Sequence, residues 1–138
     1  MLNRMTGNTN RLIAFYSRAD ENYVSGMLKQ LDVGNTETAA GIIRELTDAD
    51  VFKIEQVSPY SKNYNECIEQ AQSDQRMDAR PALKDYPDSL EAYDTIYLGY
   101  PNYWSTMPMA VFTFLEHFAF SGKIIKPFCT HEGSGLGV

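Results

Sequence analysis

Tyr97-Leu-Gly-Tyr-Pro-Asn-Tyr-Trp-Ser-Thr-Met-Pro-Met109 is the stretch on which the reading of this chain turns. It begins as the end of an apolar strand, Tyr93 to Gly99, and breaks at Pro101 into a loop carrying Tyr100, Tyr103 and Trp104. Pro108 stands where a first-turn helix proline would, its fixed φ suiting that position and its missing N–H costing nothing there. Val111, Phe112, Leu115 and Phe118 then recur at helical spacing, which predicts a helix to about His117. Strand, aromatic loop and helix follow in immediate succession. In open α/β sheets ligands bind beyond the carboxyl ends of strands, so three rings at that place suit a flat, conjugated ligand. They equally suit the plain task of covering the end of the sheet.

Upstream, Leu12-Ile-Ala-Phe-Tyr16 is a continuous apolar run, the mark of a strand buried on both faces. Ser17 and Arg18 follow at its carboxyl end. Ala19 to Val33 reads as a polar insertion with a turn of helix around Met27–Leu31. A helix then runs from Thr36, taken as its N-cap, to about Thr47, with Ala39, Ala40, Ile42, Ile43 and Leu46 on its apolar side. Ser17, Asn35 and Thr36 offer hydrogen-bond donors where the free N–H groups and dipole of that helix favour an anion. Arg18 adds a positive charge or faces solvent. An ordinary strand–loop–helix connection with a threonine cap accounts for the same residues. Thr6-Gly7-Asn8-Thr9 looks like a phosphate loop but precedes the first strand, so no sheet end presents it.

Val51 to Val57 alternates apolar and polar and reads as an edge strand. Asn63 to about Asp74 reads as a polar helix with Cys67, Ile68 and Ala71 inward. Residues 75–92 form a long connection in which Arg80 could reach an anion or, as loop arginines more often do, stay a solvated charge. Lys123 to Thr130 is a fourth strand of inner-strand composition, and the glycine-rich His131-Glu-Gly-Ser-Gly-Leu-Gly-Val138 follows it. Alternating strands and helices predict an α/β fold, a doubly wound parallel sheet with right-handed crossovers. Residues 1–10 are expected to be disordered and 11–138 to form one domain.

The 138 residues suffice for one core. A net charge of −6 argues against nucleic acid and against anionic membranes. No apolar run approaches a membrane span, and the N-terminus lacks the apolar centre of a signal peptide. Cys67 and Cys129 fit no metal or redox spacing, so no metal site is read and a cytoplasmic location is expected. The dinucleotide and P-loop glycine patterns are absent. Three loops leave strand ends: one suited to a phosphate, one to a ring, one able to bring backbone N–H groups close to a ligand. FMN fits that combination.

The matching stretches are Ala14-Phe-Tyr-Ser-Arg18, Val33-Gly-Asn-Thr36, the aromatic loop, Phe114-Leu-Glu-His-Phe-Ala-Phe-Ser-Gly-Lys123, and Pro127-Phe-Cys-Thr-His-Glu-Gly-Ser-Gly-Leu-Gly137. In these the chain resembles the flavodoxin family, and within it a branch of small FMN-binding proteins with an extended phosphate loop. The resemblance implies strand order 2-1-3-4(-5), with FMN at the switch between the first and third strands. It implies that Ser17, Asn35 and Thr36, with Arg18 as a further candidate, hold the phosphate. Pro101, Asn102, Tyr103, Trp104 and Thr106 would form one wall around the isoalloxazine, and Thr130, His131, Glu132, Gly133 and Ser134 the other. Tyr103 stands where the branch usually has tryptophan, Ser105 where it often has glycine, and Glu132 where it often has a second glycine.

Three functions remain open. The first is electron transfer by bound FMN, the acidic surface suiting a basic redox partner protein or a small electron acceptor. The second is an FMN-dependent NAD(P)H oxidoreductase of quinone-reductase type, with His131 as a candidate proton donor. The third is a binding protein that keeps the fold and holds flavin poorly. With eight residues after Thr130 there is no room for a crossover to a fifth strand. The fourth strand is therefore expected to be an edge, covered in a homodimer or left bare by truncation of a longer protein.

Overall fold

In the computed structural model, which describes residues 10–24, 27–103 and 106–130, the strand predicted from the apolar run Leu12–Tyr16 is the centre of the molecule. This strand, β1 (Arg11–Phe15), lies between β4 (Asp50–Lys53) and β5 (Thr95–Pro101), and β6 (Ile124–Thr130) lies beyond β5. All three pairings are parallel. Counting only these four strands, the order is 2-1-3-4, as the resemblance implies. The first crossover leaves β1 on one side and the next returns to its other side, so the switch point falls between β1 and β5.

Both faces of β1 are covered, which is why its sequence shows no alternation. Leu12, Ala14 and Tyr16 face a cluster with Ile54, Leu98, Val111 and Phe114. Ile13 and Phe15 face the opposite way, against Ala40 and Ala49 with Ile43 and Phe128 packed beside them. Helix α1 (Asn35–Thr47) covers that second face; α2 (Tyr64–Arg76) and α3 (Met109–His117) belong to the first, where Phe114 is fully buried. Burial of a side chain of this size contributes about 1.5–3 kcal/mol.

Four local expectations change. Met27–Leu31 is a strand and not a turn of helix: β2 (Asp20–Val24) and β3 (Met27–Leu31) form an antiparallel pair. Residues 27–30 are exposed, so no buried face imprints a period on this segment. Strand β5 continues to Pro101, which keeps Tyr100 in the sheet and buries it. Pro108 is the N-cap of α3, one position before its first turn. Helix α1 is capped at Gly34, and Thr36 lies inside its first turn. Asn63 caps α2 by accepting a hydrogen bond from the Glu66 N–H at 3.0 Å.

Strands β4 and β6 are the edges of the sheet among the described residues. The first four residues of β6 are exposed, Ile124 and Ile125 among them, so among the described residues its inner-strand composition meets no covering element there. Residues 1–9, to which the expected N-terminal disorder and the Thr6–Thr9 motif belong, lie outside the described residues.

Candidate functional site

At the carboxyl end of β1, Ser17 and Arg18 meet the start of α1. The approach is very close. A Cβ built on Gly34 would stand 2.3 Å from Ser17 Oγ and 2.4 Å from the Arg18 carbonyl oxygen. Gly34 itself has extended φ and ψ, so contact and not backbone strain selects glycine here. Ser17 Oγ accepts the Glu37 N–H at 3.0 Å and thereby caps a helix that lies 20 residues further on. Its own proton remains available to donate. The N–H groups of Asn35 and Thr36, orphaned by their place in the first turn, have no partner among the described residues. The Glu37 carboxylate is held by Lys53 Nζ at 3.1 Å. This corner therefore presents hydroxyl and N–H donors at the positive end of a helix dipole, which suits an anion.

Thr36 is 2% exposed, and its hydroxyl lies 2.8 Å from that of Thr130 at the end of β6. The Thr130 carbonyl in turn accepts the Asn102 N–H at 2.9 Å. Pro101 sits opposite Thr130 in the β5–β6 register. Beyond Asn102, Tyr103 and Thr106 exchange backbone hydrogen bonds, N to O, at 2.7 and 3.2 Å, closing the aromatic loop tightly.

Two predicted site residues are engaged elsewhere. Arg18 donates to the Ser61 carbonyl at 2.7 Å and to the Lys62 carbonyl at 2.8 Å, so its guanidinium ties β1 to the loop before α2. Tyr103 turns inward, packing on the core with its ring edge-on to Tyr16 at 6.0 Å between centroids. Among the described residues its hydroxyl, beside the Cys67 thiol, is buried without a hydrogen-bond partner. Trp104, His131, Glu132, Gly133 and Ser134 lie outside the described residues. Ser17, Asn35, Thr36, Pro101, Asn102, Thr106 and Thr130 remain, gathered by the topology at one end of the sheet.

Sequence reading did not anticipate the polar cluster beneath this end. Tyr16 Oη donates to Gln56 Oε1 at 2.9 Å, and Tyr60 Oη donates to Asp74 Oδ2 at 2.5 Å. Burial, above all else, raises the tyrosine pKa of Tyr16 and Tyr103 above the ordinary value. Tyr60 is raised by burial and then by its bond to Asp74. Burial likewise pushes the Cys67 thiol up, against a smaller opposing pull from Arg18. The thiol is thus kept protonated and inert. The one sequence signal for this cluster is Cys67 on the inward side of α2. Among the described residues, no group of three or more His, Cys, Asp or Glu is placed to hold a metal ion. No helix there is long and apolar enough to cross a membrane.

An open parallel sheet wound on both faces, with an anion-binding helix start at its switch point, defines a doubly wound α/β domain of the kind that holds ligands at the strand ends. Residues 30–138 match the family model described as Flavodoxin, and the chain belongs to that family. Solved structures agree. A protein classed as a flavoprotein from Bacteroides uniformis is 28% identical, with 90% of this chain and 73% of that one aligned and a TM-score of 0.68. A second from Bacteroides eggerthii is 25% identical, covering 91% and 73%, with a TM-score of 0.72. A flavoprotein from Lactobacillus acidophilus, solved in complex with FMN, shares the fold at 18% identity, covering 90% and 76%, with a TM-score of 0.66. No protein of curated function matches the sequence.

Proposed function

We propose that this chain binds FMN at the carboxyl end of its sheet and serves as an electron-transfer protein. The observation that carries the proposal is the donor set around Gly34: the Ser17 hydroxyl and the Asn35 and Thr36 N–H groups, at a corner where a Cβ would collide. Those donors suit a phosphate monoester, and the flavoprotein neighbours support a flavin as the group that carries it. Bound there, FMN would supply one- and two-electron redox chemistry. The protein's part is to hold the phosphate at α1 and to order the aromatic loop through Asn102 and Tyr103. The net charge of −6 supports docking to a basic redox partner or a cationic acceptor. The Cys67 thiol, buried and held in no disulfide, supports a reducing compartment, and the exposed Ile124 and Ile125 on the β6 edge support association of two copies.

Titration of the protein with FMN tests the cofactor. Quenching of flavin fluorescence at a one-to-one ratio is expected, and Trp104→Ala should weaken binding by about 1–3 kcal/mol, as for an aromatic stacked on a base-like ring. Absence of quenching at saturating FMN would overturn the proposal. Sustained NADH or NADPH oxidation by the loaded protein with a quinone acceptor would reassign it from carrier to oxidoreductase.

A further inference from the structure

With the phosphate at the start of α1, Thr130 would be part of the wall around the ring. The Thr130 side chain, however, reaches the start of α1: its hydroxyl meets that of Thr36 at 2.8 Å. Its backbone carbonyl holds the Asn102 N–H at 2.9 Å. One residue therefore joins the anion-binding corner to the aromatic loop, and the glycine-rich segment begins directly after it.

Two facts give the pair a role beyond packing. Thr36 is 2% exposed, so its hydroxyl has no water to fall back on; without Thr130 it would be a buried polar group lacking that partner. Within the pair only one hydroxyl donates to the other, so one proton remains uncommitted at the corner. The bond to Thr130 holds the Thr36 side chain, and with it the first turn of α1, whose Asn35 and Thr36 N–H groups have no partner among the described residues. Preorganisation of this kind lowers the cost of binding.

We propose that Thr130 and Thr36 form a positioning pair that sets the preference of the site for a phosphorylated flavin over the same ring without its phosphate. The proposal rests on FMN binding at this site and assigns a particular task to a particular bond. A residue on the ring wall would affect FMN and riboflavin alike. A residue that orders the phosphate corner affects FMN alone.

The test measures the dissociation constants of FMN and riboflavin for the wild-type protein, Thr130→Val, Thr36→Val, the double variant and Thr130→Ser. Valine keeps the branched shape that suits a strand end and removes only the hydroxyl. Thr130→Val is expected to weaken FMN about tenfold, the scale of one lost buried hydrogen bond, while riboflavin changes by less than about twofold. Thr130→Ser should restore the FMN preference, and the double variant should be little worse than either single one, because both remove the same bond. Equal weakening of FMN and riboflavin would place Thr130 on the ring wall and overturn the proposal. Unchanged affinity for both would reduce the pair to packing and overturn it equally. A wild-type protein that binds FMN without preferring it to riboflavin would overturn the pair's role while leaving flavin binding intact. One that binds neither flavin would overturn the function and the inference together.

Discussion

Two glycines in one short stretch are used in opposite ways, and their substitution separates contact from conformation. Gly34 is buried against Ser17 and Arg18, with backbone atoms of Arg18 at 2.4 and 2.7 Å from the Cβ that alanine would add. Backbone cannot swing aside as a flexible side-chain tip can, so Gly34→Ala should destabilise the fold by about 1–3 kcal/mol, the range for an overpacked site. It should also push Ser17 Oγ away from the Glu37 N–H that it accepts. Gly41 lies inside α1 with nothing within 4 Å of its added Cβ. Gly41→Ala should stabilise by about 0.5–1 kcal/mol, the helix-interior difference between the two residues. Urea unfolding of both variants checks the pair; equal effects would mean that the close approach at Gly34 is absent. Tyr103 belongs to the same scale. Its buried hydroxyl has no hydrogen-bond partner among the described residues, so Tyr103→Phe should leave stability unchanged or raise it by up to about 1 kcal/mol. A clear loss in the same urea series would reveal a partner.

Among the elements, what could be read in the sequence follows what is buried. Strand β1 declares itself because two faces are covered by unrelated helices, so every residue from Leu12 to Phe15 must be apolar. Helix α2 declares itself through Asn63 and the inward Cys67 and Ala71. The β2–β3 pair does not, since residues 27–30 are exposed and its register rests on backbone bonds that leave no trace in residue type. The site was legible residue by residue but not in its connections. Ser17 and Thr36 could be named as donors at a helix start. That Thr36 bonds Thr130, 94 positions away, follows only once β6 is seated beside β5. Arg18 shows the same limit. A positive charge beside a presumed phosphate loop invites pairing with the anion, yet its two terminal nitrogens are committed to the carbonyls of Ser61 and Lys62. Arg18→Ala should therefore loosen the loop before α2 more than it weakens an anion. Amide exchange in residues 58–63 should rise at least about tenfold, the effect of about 1.4 kcal/mol of lost local stability. FMN affinity should change by less than about threefold, well under the effect of a direct charged contact. The reverse pattern, protected amides with a large loss of affinity, would return Arg18 to the phosphate.

At the scale of the whole molecule, the polar cluster under the sheet end makes folding sensitive to alkali. Tyr16, Tyr60 and Tyr103 all have pKa values raised in the folded protein, by burial first of all, and the Cys67 thiol is raised by burial too. In the unfolded chain these groups return to ordinary values, about 8.5 for the thiol and about 10 for the tyrosines. Below both values each group is protonated in folded and unfolded chains alike, and the contribution of each to stability is complete. As the pH rises past the unfolded value, the unfolded chain releases protons that the folded chain still holds, so the balance tips toward unfolding. The direction is thus a loss of stability with rising pH, beginning near pH 8.5 with the thiol and steepening above about pH 10. Urea midpoints measured between about pH 7 and 11 should be level at first and then fall. Tyr60→Phe removes one of the groups and with it the hydroxyl that bonds Asp74. The variant should start less stable at neutral pH and lose stability less steeply above about pH 10, because one fewer proton separates the two states there. A midpoint that stays level to about pH 11 in the parent protein would mean that these hydroxyls reach solvent, and that the cluster is not sealed.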